Sequence, residues 1–121
     1  MVDVLLADDS PVFLAAAETL VAATPGFEVA ATCGSGREAV AIAARLRPDL
    51  ALIDESMPDL DGTEAAHEIA VVSPETFVVL VSADPSLRRR TIPLTDKRSL
   101  SPMLLTRLWQ RRAGAPDAAP V

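Results

Sequence analysis

Three carboxylates stand where apolar runs of the chain stop. Val4–Ala7 ends at Asp8-Asp9, and Leu50–Ile53 ends at Asp54. Another apolar run, Phe77–Val81, stops at Ser82, and Lys97 follows a weaker run, Ile92–Thr95. Gathered at one rim, three carboxylates repel one another and raise one another's pKa unless a cation neutralises them. Hard oxygen ligands at an open rim suit Mg2+, which keeps waters of its own and accepts a phosphate oxygen as a further ligand. With that charge offset, one carboxylate can act as a nucleophile toward an incoming phosphoryl group. The Ser82 hydroxyl and the Lys97 ammonium supply donors for the remaining phosphoryl oxygens. The inventory is that of an acyl-phosphate site.

Such a site needs a scaffold that delivers strand ends to one edge. Five apolar runs, Phe27–Cys33 being the fifth of them, alternate with helical patterns. Ser10-Pro11 offers an N-cap and a proline at the first helical position, followed by Phe13, Ala16, Ala17, Leu20 and Val21 at helical spacing. Pro25-Gly26 ends that helix. Ser35-Gly-Arg-Glu38 is a capping-box pattern before Ala39, Ile42, Ala43 and Leu46, and Pro48 closes that helix. Asp61-Gly-Thr-Glu64 is a second such pattern, before Ala66, Ile69 and Ala70. Leu105, Leu108 and Trp109 predict a last helix capped by Ser99 or Ser101. Strands alternating with helices predict an open parallel sheet covered on both faces, with its ligand site beyond the carboxyl ends of the strands. Pro93 cannot donate to a ladder, which places the Ile92–Thr95 strand at a sheet edge.

Composition bounds the alternatives. At 121 residues, half of them apolar, the chain has room for one ordinary domain. Three Phe, one Trp and no Tyr leave little for stacking on bases or sugars. A single cysteine, Cys33, excludes an internal disulfide framework and a multi-cysteine metal site. The net charge of −6 hides an asymmetry: residues 1–87 hold fifteen acids against three arginines, and residues 88–121 hold eight bases against Asp96 and Asp117. An acidic body argues against direct nucleic-acid binding. The Met-Val-Asp-Val start lacks the basic region and long apolar run of a signal peptide, and no run is long enough to span a membrane. The chain reads as cytoplasmic.

Val4-Leu-Leu-Ala-Asp8-Asp9-Ser10, Leu52-Ile-Asp54-Glu-Ser-Met57-Pro58-Asp-Leu-Asp61-Gly62 and Val79-Leu-Val-Ser82-Ala83 resemble the receiver domain of two-component response regulators, in order from residue 2 to about residue 84. In wording the first half is nearest to regulators that carry a DNA-binding helix-turn-helix after the receiver. The resemblance implies a flavodoxin-like (βα)5 fold, a parallel five-stranded sheet of order 2-1-3-4-5, in a receiver domain over residues 1–112 with a flexible tail over 113–121. It makes Asp54 the phosphoacceptor. Asp9 would ligand Mg2+ directly and Asp8 mainly through water, with the Ser56 backbone carbonyl as a further ligand. Ser82 would be the switch hydroxyl and Lys97, the only lysine of the chain, the residue that pairs with the phosphoryl group. The implied partners are a histidine kinase or histidine phosphotransfer protein and a downstream protein target.

The chain departs from the pattern after Ser82. Only Ala83–Thr91 separates the fourth and fifth runs, too few for a full helical crossover. The fourth helix of the pattern is therefore expected to be shortened or absent, and Leu94 stands where a switch aromatic is expected. Without its covering helix, the flank formed by Val78–Val81 and Ile92–Leu94 is expected to drive self-association into a homodimer. Other residues read more simply. His67 is a structural residue beside a buried stripe, Cys33 a small buried residue at a strand end, and Arg88-Arg89-Arg90 a solvated run. Residues 33–37 lack the ending of a phosphate loop and suit a capped turn. The leading function is a phosphoacceptor that signals by binding protein. Alternatives are the receiver part of a helix-turn-helix DNA-binding regulator, an unphosphorylated pseudo-receiver, and, last, a Mg2+-dependent phosphatase with an aspartyl nucleophile.

Overall fold

The computed structural model of the chain describes residues 1–84 and 92–112. The strands are β1 (Val2–Ala7), β2 (Phe27–Cys33), β3 (Leu50–Asp54), β4 (Phe77–Ser82) and β5 (Leu94–Asp96). The helices are α1 (Pro11–Ala22), α2 (Gly36–Leu46), α3 (Gly62–Val72) and α4 (Pro102–Gln110), with a 3-10 turn at Lys97–Ser99. All strands are parallel, in the order β2-β1-β3-β4-β5. This is the flavodoxin-like receiver topology, and among the described residues no helix lies between β4 and β5. The question of a helical turn over Ala83–Thr91 falls mostly on residues 85–91, outside the described residues, as does the tail 113–121.

The central strands are apolar because both faces are covered. Every residue of β3 is buried. On one face Leu5, Ala51, Ile53 and Leu80 pack with Ala39, Ala43, Ala65 and Ile69 from α2 and α3. On the other, Val4, Leu6, Leu52, Val79 and Val81 pack with Ala17 and Val21 from α1 and Leu105 from α4. Burying a side chain of the Leu or Ile type contributes about 1.5–3 kcal/mol, so these two layers dominate the fold's stability.

Side chains fix where each helix begins. The Ser10 Oγ accepts from the Phe13 N–H at 3.2 Å, with Pro11 at the first helical position. Asp61 and Glu64 form a complete capping box at α3. At α2 the Ser35 hydroxyl caps Glu38, but the Glu38 carboxylate reaches back to the Gly34 N–H instead of that of Ser35. Ser101 caps α4 through the Leu104 N–H, which decides between the two expected serines.

Two expectations change near the short connection. β5 starts at Leu94, one residue after Pro93, whose carbonyl accepts from the Leu80 N–H at 2.8 Å. Proline thus serves the edge strand as an acceptor before the ladder begins. Ala70, expected inside, is exposed, while Ala65 is fully buried. A groove of about 530 Å3 explains this: Ala70, Phe77, Val78, Ile92 and Pro93 line it, with Arg112 at its edge. It lies beside α3 and the β4–β5 edge, on the sheet face opposite α4. Ala16, also expected on the buried face of α1, is exposed because Ala17 and Val21 take that place. His67 is exposed and Cys33 buried. Among the described residues no helix is long and apolar enough to cross a membrane.

Candidate functional site

Parallel pairing brings the carboxyl ends of the strands to one rim. Ala7 is in register with Ile53, so Asp8 follows β1 level with Asp54 at the end of β3. Asp54 is in turn paired with Val81, next to Ser82, and Ser82 is paired with Asp96, next to Lys97. Register alone therefore assembles residues that are far apart in sequence.

Asp8 is 1% exposed and Asp54 6%, whereas Asp9 is exposed. Each of the three offers a carboxylate oxygen within 4.8 Å of the others. The Asp54 carboxyl is pushed up to about 6. Burial is the largest cause, and the charges of Asp8 and Asp9 add to it. The Ser56 N–H, which donates to Asp54 Oδ1 at 3.3 Å, and the Lys97 ammonium oppose the rise.

Lys97 enters the acidic cluster from the end of β5. Its Nζ lies 2.6 Å from Asp8 Oδ2 and 3.7 Å from Asp54 Oδ2, and its side chain is 17% exposed. Asp8 Oδ2 is buried without a well-directed hydrogen bond, so the ammonium is what faces it. An all-carboxylate donor set, Asp8, Asp9 and Asp54, with the exposed Asp9 on its open side fits a hard divalent cation. Ser82 is 7% exposed, and its Oγ accepts from the Asp84 N–H at 3.1 Å. Leu94 is partly buried against the α2–α3 core layer.

Two residues, one at the site and one in the loop that follows β3, escaped the sequence reading. Phe13 looked like one more apolar residue of α1, yet the Lys97 Nζ sits 4.5 Å from its ring centroid. Asp59 ties the β3–α3 loop to the start of α2, accepting from the Gly36 and Arg37 N–H groups at 3.1 and 3.4 Å. Burial pushes its carboxyl up, but these backbone donors prevail and hold it below the usual carboxylate range. A ring on a helix face and an acid inside a loop carry no sequence pattern that separates them from packing and solvation.

Comparison with known proteins gives a consistent result. The family model for the response regulator receiver domain matches residues 4–93. A protein-glutamate methylesterase/protein-glutamine glutaminase of Anaeromyxobacter dehalogenans is 45% identical over 83 residues, a match that covers 69% of this chain and 24% of that protein. The chain thus spans about a quarter of the length of the curated relatives it matches first. Among solved structures, the response regulator domain of Thermotoga maritima CheB superposes with a TM-score of 0.74 at 26% identity, covering 91% of this chain and 95% of that one. The receiver domain of the sensor histidine kinase PA1611 from Pseudomonas aeruginosa, solved with a magnesium ion coordinated in its active-site cleft, gives 0.74 at 24% identity, covering 90% and 94%.

Proposed function

The chain belongs to the response regulator receiver domain family, and on that premise we propose that Asp54 takes a phosphoryl group from a phosphohistidine in a two-component phosphorelay. The donor is a histidine kinase or a histidine phosphotransfer protein, and the phosphorylated domain signals by binding a downstream protein in the cytoplasm. An Asp54 carboxylate oxygen attacks the phosphorus. The P–N bond breaks, its electron pair leaves with the imidazole nitrogen, and an acyl phosphate remains on Asp54.

One observation carries the reading. Lys97 Nζ lies between two buried carboxylates, at 2.6 Å from Asp8 and 3.7 Å from Asp54. Holding an ammonium there leaves a donor beside the nucleophile, where it can shift from Asp8 to a phosphoryl oxygen as charge arrives on Asp54. Ser82, at the adjoining strand end, supplies a hydroxyl for another phosphoryl oxygen. Asp8, Asp9, Asp54 and the Ser56 backbone carbonyl would hold Mg2+. When bound, that ion offsets the charge of the carboxylates and of the incoming phosphoryl oxygens. The PA1611 receiver, with magnesium in its cleft, supports this assignment.

Intact mass after incubation with acetyl phosphate and Mg2+ tests the proposal. Addition of one phosphoryl group is expected, absent from Asp54→Asn and from chelated samples. A mass increase that persists in either would overturn it.

A further inference from the structure

We infer that Phe13 is a positioning residue that holds the Lys97 ammonium at the acidic cluster; its part in phosphoryl capture rests on the phosphoacceptor reading of Asp54. A closed circuit of contacts supports the assignment. The Ser10 N–H donates to Asp8 Oδ1 at 2.8 Å. The Ser10 hydroxyl caps α1 by accepting from the Phe13 N–H at 3.2 Å. The Phe13 ring then lies under the Lys97 Nζ at 4.5 Å from its centroid, and that Nζ returns to Asp8 through the other carboxylate oxygen at 2.6 Å. One acid thus fixes the helix start that carries the ring and also receives the cation that the ring supports.

The arrangement answers a physical need. Lysine has a flexible four-carbon stem and a compact charge, so its head does not stay in one place without contacts on more than one side. Asp8 attracts the ammonium from within the cluster, and Asp54 is the alternative at 3.7 Å. The ring offers its negative face from α1, an attraction that grows as water is excluded. Lys97 is only 17% exposed, so this contact is partly desolvated. A purely packing role for Phe13 is the competing account, since it also packs against the α1–α4 core layer. The two accounts differ in what happens to Lys97 when the ring is removed.

The chain has one lysine and three phenylalanines, which makes the test direct. Lysine selectively labelled with 13C gives a single ε signal in the full-length, metal-free protein. An NOE from the Lys97 ε protons to the Phe13 ring is expected, together with an upfield ring-current displacement. The Lys97 13Cε order parameter from relaxation, which does not depend on a ring current, should fall in Phe13→Leu, be kept in Phe13→Tyr, and be untouched in Val12→Leu, a control at a residue 81% exposed on the same helix. Phosphorylation by acetyl phosphate should slow about three- to tenfold in Phe13→Leu and return to within about twofold of the parent in Phe13→Tyr. No NOE in the unsubstituted protein would overturn the positioning, even if Phe13→Leu fails to fold. An unchanged Lys97 13Cε order parameter in a folded Phe13→Leu protein would overturn it equally. If the unsubstituted protein takes no phosphoryl group, the Asp54 reading fails, and the NMR arm still decides the positioning by itself.

Discussion

Asp54 is held by opposing influences, and their balance sets a pH dependence. Burial and the neighbouring acids raise its carboxyl from an ordinary 3.8 to about 6, against the Ser56 N–H and Lys97. Between those two values the folded chain binds the proton more tightly than the unfolded chain does, so stability falls as pH rises through that window. Below pH 3.8 the stabilising effect of the protonated form is fully present, and above pH 6 it is gone. In chelator, Asp54→Asn should therefore be more stable than the parent at pH 7.5, by about 1–2 kcal/mol, with a smaller difference at pH 4.5. Thermal melts at the two pH values check this, and a parent protein more stable than Asp54→Asn at pH 7.5 would contradict it. Mg2+ should narrow the gap, because an ion that binds only the native state stabilises it. The Cys33 thiol belongs to the same scale. Burial pushes it up to about 11, so alkylation at pH 8 should be slow in the native protein and fast in urea. Asp8, Asp9, Asp54, Ser82 and Lys97 were all legible in the sequence, because polar residues that terminate apolar strands in a parallel sheet have one place to go. Phe13 was not, since hydrophobic spacing reports which face is apolar and not what charge comes to rest upon it.

The elements are tied to the site through loops as much as through strands. Between β3 and α3 the chain turns back on itself, with the Gly62 N–H donating to the Glu55 carbonyl and the Glu55 N–H to the Val81 carbonyl. A Cβ at residue 62 would meet the Asp54 carbonyl oxygen at 2.5 Å and the Glu55 Cα at 2.8 Å. These are backbone atoms of Asp54 and its neighbour, so relief requires movement of the site itself. Gly62→Ala should cost about 1–3 kcal/mol of stability and slow phosphorylation, whereas Thr63→Ala, one residue further into the helix, should do neither. Denaturant melts and the intact-mass assay read both effects; a Gly62→Ala protein as stable and as quickly phosphorylated as the parent would refute the argument. Helix starts were well marked in the sequence, as Ser10-Pro11 and Asp61-Gly-Thr-Glu64 show, because capping is local chemistry. The start of β5 was marked less well. Pro93 interrupts donation without ending the sheet, and its carbonyl bond to Leu80 is a tertiary contact that no local pattern announces.

At the scale of the molecule, strand–helix alternation announced an open parallel sheet and the family resemblance its strand order, while the short fourth connection announced a gap in the helical cover of one face. β4 and β5 lie side by side at the sheet edge, where Val78, Ile92 and Leu94 pack against the α2–α3 core layer. The groove beside α3, β4 and β5 lies on that face. The last helix does not cover the groove: α4 commits Leu105, Leu108 and Trp109 to the opposite layer, and among the described residues beyond it Arg112 lines the groove. The groove is lined by the apolar Ala70, Phe77, Val78 and Ile92 together with the charged Glu75 and Arg112. A second copy of the chain presents both charges in return, so a two-fold pairing can match Glu75 with Arg112 while covering the apolar walls. The protein is accordingly expected to form a dimer at micromolar concentration, read by sedimentation velocity with and without phosphorylation. Ala70→Glu should shift it to monomer without lowering its melting temperature, because Ala70 is exposed in the single chain and only an apposed copy would bury the new charge. A strictly monomeric parent in both states, or a dimer indifferent to Ala70→Glu, would remove this groove as the pairing surface.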